Sequence, residues 1–376
     1  MVNVLGIKNE ISTISMTSVQ IDDESLQAVL EVLESGQLAQ GPKVEEFEKA
    51  FADYIGTNYA IAVNSGTAAL HVGLLAAGIV QGDEVITTPF SFTATANCCL
   101  FCGAVPVFVD INDETFDIET HLIERKISPK TKAIIVVHLY GQPCDMDEIL
   151  AICKKHNLVL IEDACQAHGA EYGGHKVGSF GIGCFSFYPT KNMTTGEGGM
   201  ITTNDEDIAR KARMIRQHGQ SQRYVHDLLG YNYRMTDIAA ALGICQLKNL
   251  DAANAKRIRN ARYLSEHISR IKGLIPPYIA PNRKHVFHQY TIKVTESYEL
   301  SRDELQQRLN AKRIGSAVYY PTPINKQPLY RRLGYNGSLP ASEAVAKRVL
   351  SLPVHPGLVD AELEAIVEAL RGTKKH

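Results

Sequence analysis

Short apolar runs recur along this chain with helix-patterned stretches between most of them, and that alternation does most to limit its fold. The runs fall at 59–63, 84–88, 105–110, 133–139, 158–163, 184–188 and 200–203. Several are unbroken Val/Ile/Leu blocks, as strands covered on both faces require. Helical periodicity over 67–77, 146–156 and 208–217 separates most of them. The pattern predicts an α/β fold with a mostly parallel sheet. Upstream, Leu26, Val29, Leu30 and Leu33 stand at helical spacing between Asp22–Asp23 and Gly36, which predicts an amphipathic helix over 21–38. Val44, Phe47 and Phe51 repeat that pattern over 44–54.

Past about residue 240 the texture changes. A long helical stretch over 239–269, polar and basic in its second half, leads into Pro-rich loops. A strand-like alternation at 287–294 and helices at 302–312 and 360–371 follow. With 376 residues the chain exceeds one ordinary small core. The expected division is a large α/β domain over 15–250 and a smaller α+β domain over 251–376, with residues 1–14 packing nearby.

Composition narrows the function. A net charge of −2 gives no electrostatic case for nucleic acid or an anionic membrane. No apolar run approaches the roughly 20 residues of a spanning helix, and the first residues lack a signal-peptide pattern, so a cytoplasmic protein is expected. The eight cysteines sit mostly in apolar segments, such as NCCLFCGA at 97–104, and read as buried small hydrophobes. Cys99 and Cys102 form a CxxC without a second ligand pair, and the 13 histidines show no ligand spacing, so no metal site is predicted.

Chemistry gathers where apolar runs end, as it does in open α/β sheets. Asp163 closes Leu-Val-Leu-Ile-Glu-Asp, and Lys191 follows the run FSFYPT, ahead of the turn TTGEGG. A lysine there is placed to form a Schiff base if burial keeps part of it neutral. A buried carboxylate needs a partner, and a protonated pyridine nitrogen suits it. Together they predict a pyridoxal 5'-phosphate (PLP) enzyme. A helix cap is the plainer role for Asp163, and Glu162 belongs on the opposite face of its strand. Asn64-Ser65-Gly66-Thr67, leading into Ala68-Ala69-Leu70, offers amides and hydroxyls to a phosphate, and Ser186 could add another. Phe92 could stack on a planar ring or simply fill the core. The glycines at 178, 181 and 183 are ordered wrongly for a dinucleotide fingerprint and precede a strand, and no Walker A sequence occurs.

These segments, taken in order, resemble the DegT/DnrJ/EryC1/StrS aminotransferases, which aminate keto sugars attached to nucleotides. The likeness spans nearly the whole chain, through GPKVEEFEKAFADYIG (41–56), NSGTAALH (64–71), GDEVITTPFSFTATAN (82–97) and TKAIIVVHLYGQPCDMD (131–147). It continues in IEDACQAHGA (161–170), the Lys191 segment and GYNYRMTDIAAALGICQL (230–247). The resemblance implies an aspartate-aminotransferase-like, fold-type I architecture. It implies that Lys191 carries the cofactor and shuttles a proton, while Asp163 holds the pyridinium. Gln166 would bond the ring oxygen, Phe92 would stack, and Gly66, Thr67 and Ser186 would bind the phosphate. Asn232 would reach the cofactor phosphate of a neighbouring subunit, making a homodimer with a shared site. Tyr320 would line the sugar site.

Two positions depart from the family. Phe92 stands where Trp or Tyr is frequent, which removes a phenolic hydrogen bond. INKQP (324–328) replaces a histidine-containing loop. A subgroup with histidine in place of the lysine dehydrates sugars, so Lys191 argues for amino transfer. The expected reaction takes an amino group from a donor amino acid, L-glutamate, through pyridoxamine phosphate (PMP), to a 3- or 4-keto nucleotide sugar. The rivals are another fold-type I PLP enzyme, such as a lyase or desulfurase, and a non-catalytic sensor that binds a sugar or PLP.

Overall fold

The computed structural model describes residues 13–371. Its main sheet has seven strands: β1 (Tyr59–Val63), β2 (Glu84–Thr87), β3 (Val105–Phe108), β4 (Thr131–Val137), β5 (Val159–Asp163), β6 (Ile182–Ser186) and β7 (Gly199–Thr203). They lie in the order β1-β7-β6-β5-β4-β2-β3. Only β7 runs against its neighbours, β1 and β6; the remaining pairings are parallel. The expected mostly parallel sheet is therefore present, and each predicted run contributes a strand, with ends shifted by a few residues.

Burial explains the composition of these strands. Ile61, Val85, Ile135 and Ile161 pack on one face with Leu70, Leu74 and Ile215. Ile86, Ile134, Val136 and Leu160 pack on the other with Met146 and Ile149. With helices over both faces, each strand must be apolar on both sides.

A second, three-stranded antiparallel sheet is built from Leu274–Ile275, Tyr290–Val294 and Val349–Leu352. Helices Arg302–Ala311 and Asp360–Arg371 share its core, and Ile14 joins them. The helix Asp237–Ile268 links the two cores: Ala240 and Leu250 pack with Phe47 and Phe187, while Leu264 and Ile268 pack with Tyr290 and Ile292. It runs through position 250. Ile14 pairs with Ile314 in an isolated bridge, and residues 1–12 of the predicted N-terminal segment lie outside the described residues.

The helix Asp23–Ser35 forms, capped by Asp22, whose carboxylate accepts from Ser25 N at 2.8 Å. Its inward residues are Ser25 and Val32, however, while Leu26, Leu30 and Leu33 point outward. Periodicity located the stripe correctly, yet it says nothing about which surface the stripe will face.

Candidate active site

Strand alternation sends the two acids at the end of β5 to opposite faces. Glu162 is fully buried. It accepts from the backbone amides of Gly178 at 2.7 Å, Phe180 at 2.9 Å and Gly181 at 2.9 Å. Its fourth partner is His138 Nε2 at 3.1 Å. Cys144 N donates to His138 Nδ1 at 3.1 Å, which leaves Nε2 as the protonated nitrogen facing Glu162. The glycines of the 178–183 turn thus serve this carboxylate. Gly178 has φ +86°, and a Cβ there would lie 2.4 Å from the Phe185 ring.

Asp163 faces the other way, toward β-strand ends and loops. Thr95 Oγ1 donates to its Oδ2 at 2.7 Å, and Cys165 N reaches its Oδ1 at 3.3 Å. Ser91 Oγ lies 2.9 Å from Thr95 Oγ1, extending the chain of hydroxyls.

Lys191 stands in the loop between β6 and β7. Phe187 N donates to Gly198 O at 2.9 Å, Thr195 N to Phe187 O at 3.0 Å, and Lys191 N to Tyr188 O at 2.9 Å. Asn192 Nδ2 fastens the loop to Asn254 Oδ1 at 2.8 Å. The Lys191 side chain is half-buried, and enclosure by protein lowers its pKa, opposed by Cys165 and the Asp163 carboxylate. Burial likewise drives His168 down to about 3 and His288 well below the ordinary range, with the Lys191 charge adding to both. Lys191, Asp163, Cys165, His168 and His288 therefore share one electrostatic neighbourhood.

The helix Gly66–Ala76 points its N-terminus into this region. Ser65 caps it, accepting from Ala68 N at 3.1 Å, and its first amides have no intrahelical partner. A Cβ on Gly66 would fall 2.6 Å from Ser186 Cβ and 3.1 Å from Cys165 Sγ. Gly66 and Ser186 are thus brought together, with Thr67 next on the helix.

Gln166 and Tyr320 also meet: Gln166 Nε2 donates to Tyr320 OH at 3.2 Å, while its Oε1 accepts from Tyr140 N at 3.0 Å. The loop beyond Tyr320 abuts the end of β2, with Ile324 N donating to Pro89 O at 2.8 Å. Phe92 lies just before the Ala94–Phe101 helix and is 58% exposed. Asn232 is exposed and bridges Gln217; among the described residues its side chain meets none of the other predicted ones. Its neighbour Tyr233 accepts from Asn64 N at 2.9 Å, so this segment runs beside the Asn64–Gly66 turn.

Sequence reasoning missed Thr95, Cys165, His168, His288 and Arg257. Thr95 is 68 positions from the acid it binds, and no local pattern marks it. Cys165 is half-buried beside the site, unlike most of the cysteines. A cavity of about 570 Å³ reaches Lys191 and is lined also by Ser18, Gln20, Asn192 and Arg257. The donor set fits PLP: an amine of lowered pKa, a carboxylate for a ring nitrogen, and a helix N-terminus with a hydroxyl for a phosphate.

Residues 19–371 match the DegT/DnrJ/EryC1/StrS aminotransferase family. The chain is 42% identical to a GDP-perosamine synthase of Caulobacter vibrioides, covering 96% of this chain and 98% of that one. It is 41% identical to a UDP-N-acetyl-3-dehydro-alpha-D-glucosamine 3-aminotransferase of Acidithiobacillus ferrooxidans, covering 93% and 94%. The crystal structure of NtdA from Bacillus subtilis, with bound cofactor PMP, superposes with a TM-score of 0.88 at 34% identity, covering 96% of this chain and 85% of that one. The chain belongs to the DegT/DnrJ/EryC1/StrS family and is a PLP-dependent aminotransferase of fold type I.

Proposed function

We propose that this aminotransferase passes an amino group from an amino acid, L-glutamate, to a 3- or 4-keto sugar carried on a nucleotide, for amino-sugar synthesis. The observation that carries this reading is the convergence of Lys191, Asp163 and the Gly66–Ser186 approach at the carboxyl ends of central strands, in a chain whose relatives include nucleotide-sugar aminotransferases. When bound, PLP supplies the aldehyde and the electron sink that amino transfer needs.

The chain's own residues do the rest. Lys191 is the tether and the proton carrier, and burial shifts it toward the neutral amine. Asp163, oriented by Thr95 and Cys165, is the counter-charge for the ring nitrogen. Gly66 and Thr67 amides with Ser186 Oγ bind the phosphate. Gln166 bonds the ring oxygen, Phe92 stacks, and Tyr320, held by Gln166, lines the sugar side.

The working unit is a homodimer with a shared site. The exposure of Phe92 and Asn232 and the outward stripe of Leu26, Leu30 and Leu33 support this. Asn232 then serves the partner's cofactor phosphate. Mixing inactive Lys191→Ala and Asn232→Ala chains should restore one intact site per mixed dimer; no recovery of activity would count against sharing. The two cores on either side of the Asp237–Ile268 helix support a domain division near residue 250. Cytoplasmic placement rests on the proposed nucleotide-linked substrate.

The test is a half-reaction. The enzyme is converted to its PMP form with glutamate, freed of excess amino acid, and offered a panel of 3- and 4-keto nucleotide sugars. One of them should restore the PLP absorbance and yield an amino sugar. Failure of every nucleotide sugar, with restoration by 2-oxo acids alone, would move the protein to another transaminase class.

A further inference from the structure

Arg216, Arg257 and Arg283 all bury their guanidinium groups, and two of them have acids. Arg216 pairs with Glu48 and donates to Ala62 O at 2.7 Å. Arg283 meets Asp117 at 3.0 Å and Asp145 at 3.3 Å. Arg257 is 5% exposed, yet among the described residues no carboxylate lies within the 4.0 Å of an ion pair. Its one hydrogen bond is from Nη1 to Phe287 O at 3.3 Å, and its Nε is buried without a partner.

Among the described residues no acid acts on Arg257, whose pKa is moved by burial alone. His168, His288 and His355 are the titratable groups that feel Arg257, and burial keeps all three toward the neutral form. Burial lowers Arg257 itself to about 10, which leaves it charged at neutral pH. A buried, unpaired charge is costly, and leaving one in place is worthwhile when a ligand brings the counter-ion.

The location narrows the ligand. Arg257 lines the same cavity of about 570 Å³ as Lys191, with Lys256 adding a second cation and Asn192 an unpartnered buried Oδ1. Asp22 is the acid on that lining, and it is engaged as a helix cap with Ser25 and Asn249. An anion drawn to Arg257 therefore lies in a space that Lys191 also lines.

We propose that Arg257 binds a carboxylate of the amino-acid donor, in the cavity it shares with Lys191. This rests on the reading of the protein as a transaminase with an amino-acid donor. The geometry gives the donor two anchors, its amine toward Lys191 and its carboxylate toward the guanidinium. A neutral keto sugar on a nucleotide has no carboxylate to offer, and its anionic groups are the nucleotide phosphates.

The two half-reactions separate these sources. Wild type, Arg257→Met and Arg257→Lys are each mixed with L-glutamate alone, and their PMP forms are mixed with the accepted keto nucleotide sugar. Arg257→Met should lose on the order of 100-fold in the glutamate half-reaction at low glutamate, with Arg257→Lys recovering part of it. The sugar half-reaction should change by less than about threefold. Calorimetric titration of glutarate into the holoenzyme gives a readout without turnover: binding to wild type and loss in Arg257→Met. Thermal melting without ligand should show Arg257→Met at least as stable as wild type, since no acid is left unpaired.

Equal glutarate binding by both proteins would overturn the proposal. So would equal losses in both half-reactions, or nucleoside diphosphate binding that disappears with Arg257. Wild type inert toward glutamate, glutamine, aspartate and alanine would instead overturn the transaminase reading, and the donor role of Arg257 with it.

Discussion

Glu162 and Asp163 are adjacent residues on one strand, both buried, and the protein treats them in opposite ways. Glu162 has four hydrogen-bond donors around it, three of them backbone amides from a turn shaped by glycines. Asp163 has one hydroxyl and one long amide contact. A saturated carboxylate serves the fold, whereas one left with spare acceptor capacity can take a ligand as its partner. Among the described residues, Arg216, which has an acid, and Arg257, which has none, differ in a similar way with the opposite charge.

The largest expected effect separates these two acids by function. Asp163→Ala should cost on the order of 10⁴ in kcat/KM, because the ring nitrogen loses its counter-charge. Its unfolding midpoint in urea should stay close to wild type. A folded variant that keeps a tenth of wild-type activity would erase the distinction.

Glu162→Ala should show the reverse. Removing it strips four donors of their acceptor and should cost about 3–5 kcal/mol of stability, read from urea melts. Any folded fraction should still bind PLP. A change below about 1 kcal/mol would mean that this pair carries little of the fold.

Three buried histidines give a pH signature. His168 and His285, each pushed to about 3, and His288 are neutral in the folded protein. Unfolded, they would protonate below about 6.5. Between that value and about 3 the unfolded state binds more protons, so stability falls as pH falls through this window. Each should contribute about 1.4 kcal/mol per pH unit, and His168→Leu should flatten the slope. Melts at pH 7 and pH 5 with equal midpoints would contradict this.

The smallest effect is at Phe92. If it stacks on the ring, Phe92→Ala should weaken PLP affinity roughly three- to tenfold, without the stability loss of a core aromatic. A loss of about 3 kcal/mol or more in stability would place it in the core instead.

Much of this was legible in the chain because strand ends and turns are local. Asp163, Lys191 and the Asn64–Thr67 turn announce themselves through an apolar run followed by polar punctuation. The opposed faces of Glu162 and Asp163 follow from strand alternation alone. What could not be read depends on contacts across the fold. Thr95 reaches Asp163 across 68 positions, and Arg257 reaches the Lys191 cavity from the middle of a long helix. The outward turn of Leu26, Leu30 and Leu33 was equally hidden, because a periodic stripe does not name its partner surface.

In the proposed mechanism Lys191 holds the cofactor covalently while Asp163 faces its ring. The most direct measurement is borohydride reduction of the holoenzyme, followed by peptide mass spectrometry. A single phosphopyridoxyl adduct is expected on the peptide carrying Lys191, absent from Lys191→Ala. An adduct on any other lysine of the wild-type chain, or none at all, would contradict it.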